Sequence, residues 1–190
     1  MVISLLGNEV SLSVIGKYQR ETPFHSWAID TEVEMQVGRN LKATGRNYIS
    51  SAISADDHEQ FKLDPKKAVA FAKKSAADSL IILVPNSTIR KLGSPNGMTH
   101  SITLNCGPQD SLPNLLFMYR AEIWNLKSQK QIASSPLVIE THYNGVINCE
   151  SFASAPDVKV EKSFEPPYLL SVKQLANDSV QGMGFNPIEN

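Results

Sequence analysis

SLIILVPNSTI, residues 79–89, decides the fold. Leu80 to Val84 form an unbroken apolar run. It is the length of a strand, and its lack of alternation fits a strand covered on both faces. Pro85 ends or bulges it. The segment before it reads as a helix. Asp64 followed by Pro65 marks the start, and KKAVAFAKKSAAD, 66–78, supplies a small face of Ala68, Ala72 and Ala76 that lets a helix approach a sheet closely.

Beyond the run lies LLFMYRAEIWNLKSQKQIASSPLVIETHY, 115–143. Leu115, Phe117, Tyr119, Ala121 and Ile123 alternate with Leu116, Met118, Arg120, Glu122 and Trp124, the pattern of a strand with one apolar and one mixed face. LKSQKQ makes a turn and IASSPLVIETHY returns, with Pro136 placing the return strand at a sheet edge or on a bulge. Between the run and this hairpin, residues 92–113 read as a loop holding one short strand, HSITLN.

Upstream, MVISLLGNEVSLSVIGK, 1–17, reads as a hairpin turning at Gly7-Asn8, followed by a connecting segment, YQRETPFHSWAID. Asp30 is placed to cap a helix on which Ile29, Val33, Val37 and Leu41 recur every fourth residue, with Gly45 at its C-terminal end. Gly38 inside that helix suggests close packing. RNYISSAI, 46–53, reads as a strand and SADDHEQFKLD as a polar connection. A last helix is expected from Pro166-Pro167, with Leu169, Val172, Leu175 or Ala176 and Ser179 along one stripe. Helices alternating with strands, then an antiparallel pair, predict an α/β (α+β) fold. It has a mixed sheet, an antiparallel hairpin and about three packing helices.

The 190 residues suit a single domain: an N-terminal hairpin and connection over 1–28, an α/β core over 29–143, and an irregular segment with a C-terminal helix over 144–190. A net charge of −1 excludes a protein whose main work is neutralising phosphates, so nucleic acid is not an expected partner. No apolar run approaches the ~20 residues of a membrane-spanning helix. The amino terminus lacks a basic region and a small-residue cleavage site, so two locations stand: cytoplasmic, or beyond the inner membrane after loss of a leader.

Chemistry-bearing signals are sparse. His25, His58, His100 and His142 are scattered, with no pair at chelating spacing. Asp56-Asp57-His58-Glu59 is the densest ligand-type cluster, but it lacks the glycine and spacing of a calcium loop. No GxSxG elbow or phosphate loop is present. No metal and no cofactor is expected, and no catalytic residue is assigned. Cys106 and Cys149 are either two free thiols or a disulfide, the latter implying an oxidising compartment. Trp27 beside Phe24 reads either as cover for the core edge or as an exposed anchor. Met118, Arg120 and Trp124, sharing the mixed face of the hairpin strand, are the second interface candidate, since arginine and tryptophan dominate binding energy where interfaces exist.

The helix ending in AADS, the buried LIILV strand and the pair YRAEIWNLKSQK and QIASS resemble an arrangement in bacterial envelope proteins. In these a helix ending near G-A-D feeds a strand, and an antiparallel pair turns at D-x-x-T-G-K. The N-terminal domain of the Tol-system translocation protein and the curli secretion-channel subunit have it. Here Ala77-Asp78 matches the helix end, while Asn125 to Lys130 stand in for the turn without its Asp and Gly. The resemblance implies a periplasmic or lipoprotein-like accessory module that binds protein or another envelope component and catalyses nothing; a homo-oligomer is a separate alternative for its partner. A small hydrolase or transferase with its site in 92–113, and a secreted effector or its inhibitor, are the alternatives.

Overall fold

The computed structural model describes the backbone over residues 1–16, 20–50, 53–85, 100–106, 114–142 and 158–184, and side chains within 1–10, 27–50, 53–85, 119–134 and 165–184. The strands are β1 (Val2–Ser4), β2 (Glu9–Gly16), β3 (Arg20–Ser26), β4 (Ser79–Pro85), β5 (His100–Cys106), β6 (Asn114–Asn125) and β7 (Lys130–His142). The helices among the described residues are α1 (Ile29–Ala43), α2 (Ala55–Leu63), α3 (Pro65–Ala72) and α4 (Val158–Gly182).

The apolar run is β4, paired in parallel with β1 and antiparallel with β6. Its side chains divide between two cores. Ile81 and Leu83 join Val33, Val37, Tyr119, Ile123, Tyr168 and Val172 under α1 and α4. Leu80, Ile82 and Val84 join Ile3, Leu5, Phe61, Val69 and Ala72 under α2 and α3. A strand shielded above and below has no polar face to present, which is why its sequence does not alternate.

The hairpin of β6 and β7 pairs along its whole length, from Asn114 opposite His142 to Asn125 opposite Lys130. A bulge between Ile123 and Trp124 adds Ile132 to the return strand. On its other side β6 carries two strands end to end, β4 against residues 119–125 and β5 against 114–117. All seven strands thus form one mixed sheet, ordered β1-β4-β6-β5-β2-β3 with β7 on the outer side of β6. The mixed sheet with packed helices is the architecture expected from sequence. Pro136 lies in β7, for which β6 is the one described partner, as an edge position requires.

Four local expectations are corrected. The N-terminal residues do not form a hairpin. β1 runs parallel to β4 and β2 parallel to β5. Because β4 and β5 follow each other along β6, the chain keeps its direction from β1 to β2. The partner of β2 is instead β3, within the segment expected to be a connection. Residues 46–50 are not a strand; they cross α1, with Tyr48 against Gly38, so close that a Cβ there would stand 2.5 Å from the ring. The polar connection is a helix, α2, whose Ser54 hydroxyl accepts the Asp57 N–H at 3.1 Å. Lastly, α4 begins at Val158 and carries Pro166 and Pro167 inside it.

The helix over 29–43 ends as expected. Arg46 N–H reaches Leu41 O and Gly45 N–H reaches Lys42 O, both at 3.0 Å, with Gly45 at φ 72°. Asp64 caps α3 through Lys66 N–H at 3.1 Å, but that helix stops at Ala72 rather than continuing to Asp78. The Ser75 hydroxyl donates to the Ala72 carbonyl at 2.6 Å and closes the last turn.

Candidate functional site

Asp30 does not cap its helix. The residue before the first turn is Ala28, with no side-chain cap, and the Asp30 carboxylate turns instead to the chain leaving β1. It accepts the Ser4 hydroxyl at 2.5 Å, the Leu6 N–H at 2.9 Å and the Gly7 N–H at 3.1 Å. Asn8 Oδ1 accepts the Asp30 N–H at 3.0 Å in return. This exchange is the physical reason the Gly7-Asn8 pair fails to make a hairpin turn: the corner is pinned to α1, and Gly7, at φ 87°, lets the backbone present its N–H to the carboxylate.

One turn further along α1, Glu34 Oε1 accepts the Ser4 N–H at 2.7 Å. From the other side His58, on α2, places Nε2 2.7 Å from the Ser4 carbonyl oxygen and 3.4 Å from Asp30 Oδ2. A carbonyl oxygen accepts, so Nε2 carries a proton and donates. In a parallel ladder alternate residues face alternate edges. Met1 O and Leu5 N are bonded to β4, which leaves Ser4 facing outward. Its N–H and C=O are both satisfied by side chains, Glu34 and His58, standing where a neighbouring strand would stand.

These residues border a cleft of about 600 Å³ between α1 and α2, walled by Asp30, Thr31 and Glu34 on one side and His58, Glu59 and Lys62 on the other. Burial pushes the Asp30 carboxyl up, opposed by the Ser4 hydroxyl, His58 and the Gly7 N–H. Burial, with the Asp30 charge adding to it, raises Glu34 to about 7, against the pull of the Ser4 N–H. Lys62 is paired with Glu59 at 2.8 Å.

The cluster holds serine, histidine and aspartate, but not as a nucleophilic triad. The Ser4 hydroxyl donates to Asp30 rather than to His58, and Ser4 is fully buried. Among the described residues no group of three His, Cys, Asp or Glu side chains could hold a metal ion.

The residues proposed as interface from sequence fall into three situations. Trp27 is 4% exposed and packs edge-on against Tyr168 at 5.1 Å, so it lies in the core rather than on the surface. Arg120 and Trp124 do share one face of β6, and Glu122 lies between them, 4% exposed. Glu122 accepts from Arg120 at 2.6 and 2.7 Å and from Trp124 Nε1 at 2.9 Å. The side chain of Met118 is outside the described residues. Cys149 also lies outside them, as does the Cys106 side chain, together with the whole question of a disulfide. Of the 92–113 loop only the backbone of β5 is described. Sequence reasoning did not single out Ser4, Asp30 and Glu34 as a site. His58 stood in a polar cluster, but its partner is 54 residues away in the chain.

No family model and no curated protein matches this chain. Solved structures give distant likenesses. A Xanthomonas campestris protein described under family DUF330 is 12% identical over 94% of this chain and 77% of its own, with a TM-score of 0.43. A hypothetical protein from Chlamydia trachomatis is 12% identical over 97% and 96%, with a TM-score of 0.42. A third, an uncharacterized protein, is 10% identical over 93% and 86%, with a TM-score of 0.38. None of the three is described as a Tol-system or curli protein, so the specific kinship suggested by the short motifs gains no support from them. No residue role is carried over from any of them.

Proposed function

We propose that the protein is a non-catalytic, envelope-associated module that binds another protein. The observation that carries the first half is the Ser4 geometry. The serine–histidine–aspartate cluster at Ser4 is committed to holding backbone groups and presents no activated nucleophile. In favour of binding, β7 is a long strand whose one partner among the described residues is β6, and its bulge sets out Ile132 at 61% exposure, with Leu63 and Leu170 also exposed. The envelope location rests on the resemblance of the helix–strand–hairpin segment to that of bacterial envelope proteins.

The test is photo-crosslinking in the producing cells, with a crosslinking residue at Ile132 or at Leu170 and fractionation of the lysate. A discrete adduct in the envelope fraction supports the reading. Protein found wholly in the cytosolic fraction, with no adduct from either position, overturns it.

A further inference from the structure

The side chains standing in for a strand beside β1 are ionisable, and they join the sheet edge to α2, a helix that buries a single side chain. Phe61 is the one buried residue of α2, 5.4 Å from Phe71. Across the cleft its polar tie to β1 is the His58–Ser4 bond. An element with one buried apolar side chain and few polar ties, His58 to Ser4 and Asp30 and Gln60 to Lys67, belongs to the low-stability end of a fold. Facing it, Asp30 and Glu34 lie a helical turn apart on α1, and both reach the backbone of residues 4–7.

We propose that Glu34, Asp30 and His58 form a proton-controlled latch that holds α2 over the outer edge of β1, closed while Glu34 is protonated and loosened when it ionises. Protonated, Glu34 accepts the Ser4 N–H with one oxygen and adds no charge beside Asp30. Ionised, it places a second negative charge next to a buried carboxylate, at a site where burial already disfavours charge. The other charged and titratable groups facing it do not relieve this. Lys62, on α2, is engaged with Glu59. Tyr48, from the 46–50 segment, is itself pushed up by burial and by the Glu34 charge. His58 donates to Ser4 and stands nearer Asp30. The available relief is hydration, and moving α2 away supplies it. That movement uncovers the Ser4 carbonyl, the sheet edge and the apolar side chains beneath Phe61.

Amide hydrogen exchange on the intact protein at pH 5.5 and 8.5, corrected for chemical exchange rates, tests the latch, with α4 residues 168–180 as internal reference. The expected result is that segments 55–63 and 2–6 lose protection relative to α4 by roughly tenfold or more between the two pH values. Glu34→Gln should hold the closed level at both pH values, and His58→Ala, which removes the donor to the Ser4 carbonyl, should show the loosened level at both. Relative protection in the wild type that does not change with pH, or a wild-type change that Glu34→Gln reproduces unaltered, overturns the proposal.

Discussion

His58 Nε2 sits 2.7 Å from the carbonyl oxygen of Ser4, joining α2 to the edge strand β1, 54 residues earlier in the chain. The bond removes an outward acceptor from an edge, and with the Glu34 carboxyl on the Ser4 N–H it leaves that stretch of β1 no free group for edge-to-edge pairing. The stability of this corner follows from a handful of side chains, each of which can be tested.

Glu34 makes folding stability depend on pH. Burial raises its folded-state value to about 7 from an ordinary 4.5. A raised value means that its contribution is whole below pH 4.5 and is lost as pH rises to about 7. Glu34→Gln keeps an acceptor for Ser4 without the charge. Thermal melts should therefore show the variant level with the wild type near pH 4.5 and several degrees more stable at pH 8. Equal melting temperatures at pH 8 would contradict the buried, charge-crowded environment assigned to Glu34.

Asp30→Asn should destabilise at every pH at which the protein folds. Its amide oxygen can stand in for Oδ1, which accepts the Ser4 hydroxyl and the Leu6 N–H and shares the Gly7 N–H, but an NH2 then replaces Oδ2 beside the Gly7 N–H and His58 Nε2. The amide thus turns a donor toward donors. Setting that donor against donors in a buried site costs about 1–3 kcal/mol, and a loss of that order in urea titrations is expected. A loss below about 0.5 kcal/mol would mean the corner is held by other contacts.

Gly38→Ala sets two effects against each other. Helix propensity favours alanine by up to about 1 kcal/mol. The added Cβ, however, would lie 2.5 Å from the Tyr48 ring, and overpacking costs about 1–3 kcal/mol. The clash should win, giving net destabilisation. In a Tyr48→Ser background the same substitution should become neutral or stabilising, which a double-mutant cycle by chemical denaturation would read directly.

How far the sequence disclosed all this depends on the range of the interactions involved. The 80–84 run and the hairpin after it were legible because burial on two faces, and then on one, writes its own pattern into consecutive residues. The N-terminal corner was not, because the local signal of Gly7-Asn8 is outweighed by Asp30, more than 20 residues on, which pins the turn open. The helix α2 was hidden for the opposite reason. It buries only Phe61 and so shows no apolar stripe; the one clue was Ser54 three residues before Asp57, the spacing of a capping pair. The site suffered from both effects, since Ser4 looks like any strand serine and His58 like part of a solvated cluster until the sheet brings them together.

Arg120 separates a structural role from an interface role. Its guanidinium donates twice to Glu122, which is 4% exposed and held otherwise by Trp124. Removing it leaves a buried carboxylate with half its partners. Because Arg120 itself is about one-third exposed, water can reach part of the gap, so the loss should fall near the lower end of a broken buried pair, roughly 2–3 kcal/mol. Arg120→Ala should lower the urea midpoint of the isolated protein and shift Trp124 fluorescence to the red as its Nε1–H loses a fixed acceptor. Glu122→Gln added to it should recover part of the loss by removing the stranded charge. If the arginine instead serves a partner, the isolated variant will melt like the wild type, and only capture of the partner will fall.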